Sequence, residues 1–380
     1  MKFLFGTVIA MLLLAAAAAG QAVKGAGNLP DSSSSTKLFS ATPLMDLGIQ
    51  TYKGFEGGLY SNGTNNIPFA HAEAGNQFAA EVQPLDKNGN LDPRGMIVFT
   101  SIGMSNAAIE FGVFEGAAAS DPDVNSKTLA IENGSLAGIT ACYWVAPHGP
   151  PPCSPQTENP FDQVLDDVLT PAGLTEQQVE VVWIKEANGG AGTAKVCSGG
   201  QPCAPLCDPN AKGCENTPDT TEALRHEEQL GEIIRAAKVR WPNLKLAFLS
   251  SRIYAGYATV DINPEPYAYE YGFSTKWLIQ AQVTQMQNGT VDPVAGDLNY
   301  SNNTAPWVAW GPYIWANGPH PRSDGLVWCD GQTSAPCDGE VDFQSDGTHP
   351  SGIGAQKVSN MLLNFFLTSP YTKSWFATTP

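Results

Sequence analysis

Three short apolar-dominated runs, Met96–Ile102, Gln178–Ile184 (QVEVVWI) and Leu244–Ser250, constrain this chain more than any other feature. They do not alternate cleanly between apolar and polar residues. Each therefore reads as a strand buried on both faces, as in a parallel sheet covered by helices. Lys127–Ile131 is a further strand candidate, followed by a Gly/Ser turn, and Ala305–Tyr313 reads as a strand or a loop. Between them lie stretches with helical spacing: Asn106–Ala119, Phe161–Leu169, Thr221–Arg240, Tyr271–Gln287 and Gly352–Leu367. Thr221–Arg240 is the clearest, with acidic residues early, basic residues late and Pro242 as the stop. Buried strands alternating with helices predict an α/β fold with a mostly parallel sheet, which binds ligands at the carboxyl ends of its strands.

Composition narrows the function classes. Only 15% of the 380 residues are charged, 42% are hydrophobic, and 38 Gly and 29 Pro imply long ordered loops. The net charge is −17 and no Lys/Arg cluster occurs, which excludes a nucleic-acid surface or an anionic membrane as partner. Lys2, the apolar run Phe3–Ala19 and the small residues that end it read as a cleaved signal peptide over residues 1–20, with an N-terminal anchor as the alternative. The mature protein is then expected outside the cytoplasm, secreted or periplasmic. Eight cysteines fit an oxidising compartment. Their spacing lacks zinc-type CxxC pairs and interleaved histidines, so four local disulfides are expected. The proposed pairs are Cys142 with Cys153, Cys329 with Cys337, and two within Cys197–Cys214. Residues 21–36 read as a flexible leader, 37–94 as an irregular segment packed on the core, and 95–380 as the main domain with a Cys-rich insertion at 189–219.

The chemistry-bearing residues fall at the predicted strand ends. Ser105, in Gly103-Met104-Ser105-Asn106, follows the first buried strand and opens a helix. Its hydroxyl lies at the sheet edge, and its N–H belongs to a helix N-terminus, where orphan donors favour developing negative charge. A plain helix cap is the competing reading. His349 stands three residues after Asp346 at the entry to the last helix, a spacing that lets the carboxylate hold an imidazole through Nδ1–H. Asn188 follows the strand Gln178–Ile184 and could donate to an oxyanion, or simply form an Asn-Gly-Gly turn. Gly138, after the second strand, could offer a backbone N–H, with Gly134 as its rival.

In this order the residues resemble the SGNH, or GDSL-type, hydrolase superfamily, whose four blocks are named for Ser, Gly, Asn and His. Ser105, Gly138, Asn188 and His349 occupy the corresponding places, with Asp346 as the triad acid. The DGTHPS stretch is the most specific piece, and the likeness spans Gly95–Leu367. The first block departs from Gly-Asp-Ser: Met104 makes it closer to the Gly-Gln-Ser-Asn version of sialate O-acetylesterase-like and some acetylxylan esterases. The third block has Glu186 where the family usually has Gly. The resemblance implies a three-layer α/β/α sandwich around a mostly parallel five-stranded, flavodoxin-like sheet. It also implies acyl transfer from Ser105 with His349 as base and Asp346 as its orienter. The oxyanion hole would be formed by the N–H groups of Ser105 and Gly138 and the Asn188 amide. No metal or other cofactor is needed.

Substrate signals are fewer. Trp183, Trp307, Trp310, Trp315 and Trp328 lie near predicted loops and could stack on sugars or acyl groups, or serve the core. Arg252 and Tyr254 follow the strand Leu244–Ser250 and are candidates to touch a polar substrate, against a buried ion pair or loop anchor. The expected partner is a small ester or an acylated polysaccharide, with deacetylation of carbohydrate as the leading activity. A lipase or aryl esterase of the same fold, or a silent glycan-binding protein, are the alternatives.

Overall fold

The computed structural model describes residues 39–145, 158–192, 197 and 201–378. Five strands form its central sheet: β1 (Ile97–Gly103), β2 (Leu129–Glu132), β3 (Val179–Lys185), β4 (Leu246–Leu249) and β5 (Trp307–Trp310). Every pairing is parallel and the spatial order is β2-β1-β3-β4-β5. That is the flavodoxin-like order, in which connections leave β1 in opposite directions and open a crevice at its carboxyl end. All residues of β1, β3, β4 and β5 are buried, as continuous apolar runs require.

Five long helices accompany the sheet: α1 (Phe69–Glu81), α2 (Ser105–Ser120), α3 (Glu222–Arg240), α4 (Tyr267–Asn288) and α5 (Gly352–Thr368). Together they complete the expected three-layer α/β/α sandwich. Phe99 of β1 packs against Phe111 and Phe114 of α2 and Phe366 of α5, with ring centroids 4.6–6.0 Å apart. The helix α3 carries Glu222 in its first turn and Lys238 and Arg240 in its last, complementing its dipole. Gly289, at φ 80°, ends α4 in the left-handed region that glycine tolerates without strain.

One expectation is corrected, and the open reading of the tryptophans is decided for the core. The segment before residue 94 is not irregular throughout, because it contains the thirteen-residue helix α1. Its apolar periodicity is faint because its packing relies on small residues. A Cβ at Gly75 would lie 2.3 Å from the Trp307 ring. His71 Nε2–H donates to the Val308 carbonyl at 2.8 Å, fixing α1 to β5. The five tryptophans are core residues, each no more than 5% exposed. Their N–H groups donate inward, to Ser250 Oγ from Trp183, His71 O from Trp307, Leu59 O from Trp310, Glu265 Oε1 from Trp315 and Ile314 O from Trp328.

Disulfides join Cys197 to Cys203, Cys207 to Cys214 and Cys329 to Cys337. Cys142 is also disulfide-bonded, and Cys153 lies outside the described residues, as does the proposed signal peptide. Among the described residues, no helix is long and apolar enough to cross a membrane.

Candidate active site

The carboxyl end of β1 turns into α2 through Gly103, Met104 and Ser105. A Cβ on Gly103 would lie 2.3 Å from that of Ala107, so only glycine permits this tight strand-to-helix turn. Met104 sits at the cap position with extended backbone, and Ser105 is the first helical residue. Its N–H is therefore one of the orphan donors of a helix N-terminus. Met104 is buried beside Ala187 and Tyr271. Met104 thus fills an apolar pocket.

His349 and Asp346 reach Ser105 from the loop before α5. The Ser105 Oγ–H donates to His349 Nε2 at 2.8 Å, and His349 Nδ1–H donates to Asp346 Oδ2 at 2.5 Å. The other Asp346 oxygen accepts the backbone N–H groups of Thr348 and His349, both at 3.0 Å. Burial opposes ionisation of Asp346, but these hydrogen bonds from His349 and the two backbone amides outweigh it and hold the carboxyl below its usual range. The Asp346 carboxylate thus stays anionic while it accepts His349 Nδ1–H.

Three contacts fix the loop. Ser351 caps α5 by accepting from the N–H groups of Ile353 and Gly354. Thr259 donates its N–H and hydroxyl to the Asp346 carbonyl at 2.9 and 3.2 Å. Gly347, at φ 63°, lies so close to the Tyr257 carbonyl that a Cβ would be 1.9 Å from its oxygen. A fourth tie reaches across the site: Asn106 Nδ2–H donates to the Thr348 carbonyl at 2.9 Å. Asn106 is fully buried and joins the serine turn to the histidine loop. The sequence motif contains this residue, but nothing in its spacing marks that role.

The predicted oxyanion donors divide. Gly138 lies exposed in a turn at φ 80° with open space where a Cβ would stand. That turn is held beside the serine loop by Leu136 N–H, which donates to Gly103 O at 2.8 Å. Gly134 is instead packed inside, where a Cβ would meet Ser101 O and Thr100 Oγ1 at 2.6 Å. Asn188 is turned away from the role the resemblance gave it. Its side chain is fully buried, and Nδ2–H donates to Glu222 Oε1 at 2.9 Å and Gln229 Oε1 at 2.7 Å. Both amide hydrogens are engaged, which leaves none for an oxyanion. Accordingly, Asn188→Ala should destabilise the fold by about 2–3 kcal/mol through unpaired buried acceptors, with kcat changed less than threefold. Denaturant melts and steady-state kinetics check this. An Asn188 amide acting on the oxyanion would instead cost about 10²–10³ in rate.

Arg252 and Tyr254 are also corrected. Both are 1% exposed and face the interior. Tyr254 O–H donates to the Phe39 carbonyl at 2.8 Å. The Arg252 guanidinium lies among Glu110, Tyr271, Glu186 and Glu265, and burial pushes its pKa down against their pull. Glu186, the third-block departure, accepts from Ala187 N–H at 3.0 Å, and burial lifts its carboxyl well above the usual range.

Beneath the site lies an ion pair that sequence reasoning missed. Glu110 of α2 and Lys185 at the end of β3 meet with both side chains wholly buried. Burial pushes Glu110 up and Lys185 down to about 8, each against the pull of its partner. A lysine ending an apolar strand and a glutamate on the buried side of a helix were the available signals.

No family model matches this sequence, and no curated protein matches it either. Solved structures of similar outline include a lipase from a goat rumen metagenome, 11% identical, covering 72% of this chain and 100% of that one at a TM-score of 0.34. A carbohydrate esterase family 3 protein from Talaromyces cellulolyticus is 12% identical, with coverages of 70% and 94% and a TM-score of 0.27. A carbohydrate esterase family 2 enzyme from Corynascus thermopiles is 10% identical, with coverages of 72% and 66% and a TM-score of 0.30.

Proposed function

We propose that this protein is a secreted serine esterase of the SGNH type that removes acetyl or other small acyl groups from carbohydrate. The observation that carries the reading is the continuous Ser105–His349–Asp346 hydrogen-bond relay at the carboxyl edge of a parallel sheet. His349 Nε2 takes the Ser105 proton as Oγ attacks the ester carbonyl carbon. The carbonyl π bond opens to an oxyanion, which the N–H groups of Ser105 and Gly138 receive. Collapse of this intermediate breaks the bond to the alcohol, which leaves with the proton from His349. Water then gives a proton to His349 and attacks the acyl-serine. The second collapse releases the acid and returns the proton to Ser105.

Substrate class follows from access. Ser105 is only partly buried, and the His349 and Asp346 side chains keep 20% and 26% of their exposure. A site this open admits an ester carried on a polymer. The disulfides and the acidic chain support action outside the cell on a neutral polysaccharide. The test is release of acetate from acetylated xylan and from p-nitrophenyl acetate by the mature protein and by Ser105→Ala. Turnover of both substrates that disappears in the variant is expected. Turnover that survives in Ser105→Ala contradicts the mechanism, and hydrolysis of p-nitrophenyl acetate alone contradicts the carbohydrate substrate.

A further inference from the structure

A second cavity, of about 550 Å³, opens between α3, α4 and the Cys207–Cys214 loop. Its lining includes none of Ser105, Asp346 or His349. The volume is that of a small-molecule site. Phe55 and Trp277 form an aromatic corner, with ring centroids 5.1 Å apart and planes tilted by 59°. Leu224 and Val294 extend the apolar wall.

The polar groups at this wall are unequal. The Asn216 amide is already paired, donating to Cys207 O at 2.8 Å and accepting from Cys207 N–H at 3.1 Å. Gln280 accepts from the Ser61 hydroxyl and donates to Thr284 Oγ1 at 3.1 Å. Glu227 differs. It is 3% exposed, it lines the cavity, and among the described residues no hydrogen bond or ion pair reaches its carboxyl. Burial first, and the neighbouring Asp292 second, hold that carboxyl well above the usual carboxylate range. Asp292 also lines the cavity. One of its oxygens accepts from Val294 and Ala295 N–H, and among the described residues no bond reaches the other. Among the described residues, no lysine, arginine or histidine lines the cavity.

A buried carboxyl without a partner is poorly satisfied in either protonation state, and a bound donor of positive charge would stabilise its ionised form. A second carboxylate beside it favours such a donor, and aromatic faces attract the same charge. A sugar ring would bring as many acceptors as donors, whereas Glu227, once a bound cation draws it to its ionised form, and Asp292 offer acceptors only. An ammonium group brings donors only. We propose that this cavity is a binding site for a small organic ammonium ion, held by Glu227 and Asp292 with its carbon body against Phe55 and Trp277. The inference is independent of the esterase reading, because the two sites share no residue.

The test is calorimetric titration of the purified protein with n-butylammonium, its uncharged counterpart butan-1-ol, and methyl β-D-glucoside. Butylammonium is expected to bind at least about tenfold more tightly than the other two. Glu227→Gln and Trp277→Leu should each weaken it by about tenfold, with p-nitrophenyl acetate turnover unchanged. Asp292→Asn is a third variant, and its effect decides the matter should Glu227→Gln fail to fold. Equal binding of butan-1-ol, preference for the glucoside, absence of butylammonium binding, or undiminished binding in the folded carboxyl variants would each overturn the proposal.

Discussion

Asp346→Asn is expected to lower kcat by about 10⁴-fold while leaving the melting temperature unchanged. The carboxylate now accepts His349 Nδ1–H at 2.5 Å, which leaves Nε2 free to receive the serine proton. An asparagine amide can donate to Nδ1 instead, and the imidazole then carries its proton on Nε2, where it cannot serve as a base. The loop should keep its shape, because the asparagine carbonyl can still accept the N–H groups of Thr348 and His349 that Oδ1 accepts now. Steady-state kinetics on p-nitrophenyl acetate with a parallel thermal melt separate chemistry from folding. A loss smaller than tenfold would mean that Asp346 does not hold the imidazole in its working tautomer.

The second large effect concerns the platform under the site. Glu110→Leu should destabilise the protein by about 3–5 kcal/mol. It removes the carboxylate that faces Lys185 and leaves that ammonium buried near Arg252. The double variant Glu110→Leu/Lys185→Met should recover most of the loss, since a buried ion pair replaced by apolar residues of similar volume is often neutral. Urea melts of the two single variants and the double variant measure the coupling directly. Additive losses would show that the two side chains do not act as a pair. The consequence for function is positional: Glu110 lies on the same helix as Ser105 and Lys185 ends β3, which pairs with β1, so the pair ties the serine-bearing helix to the centre of the sheet.

The strands were the most legible part of the sequence, because a strand buried on both faces is mostly apolar along its length, with only a few buried polar residues such as Glu180 and Lys185. The expected runs Met96–Ile102 and Gln178–Ile184 agree with β1 and β3 to within a residue at each end. Helices α2, α3 and α5 were equally plain, since each combines an apolar face with a polar one or a clear stop. The helix α1 was not, because its buried residues are His71, Gly75 and Ala79, which leave no strong periodic signal. At the site, the spacing of Asp346 and His349 contains its own geometry, since both lie on one loop. The fate of Asn188 depends on Glu222 and Gln229, which are distant in sequence and meet it only through the packing of α3. Arg252 and Tyr254 follow a strand at the ligand-binding edge, yet their side chains turn inward, a choice that only the assembled core decides.

Reaction of the mature protein with a fluorophosphonate, followed by mass spectrometry of its peptides, tests the central claim most directly. The proposed mechanism assigns the nucleophile to Ser105, so a single stoichiometric adduct on Ser105 is predicted, absent from Ser105→Ala. A folded protein that remains unlabelled, or one labelled at another residue, would contradict the account.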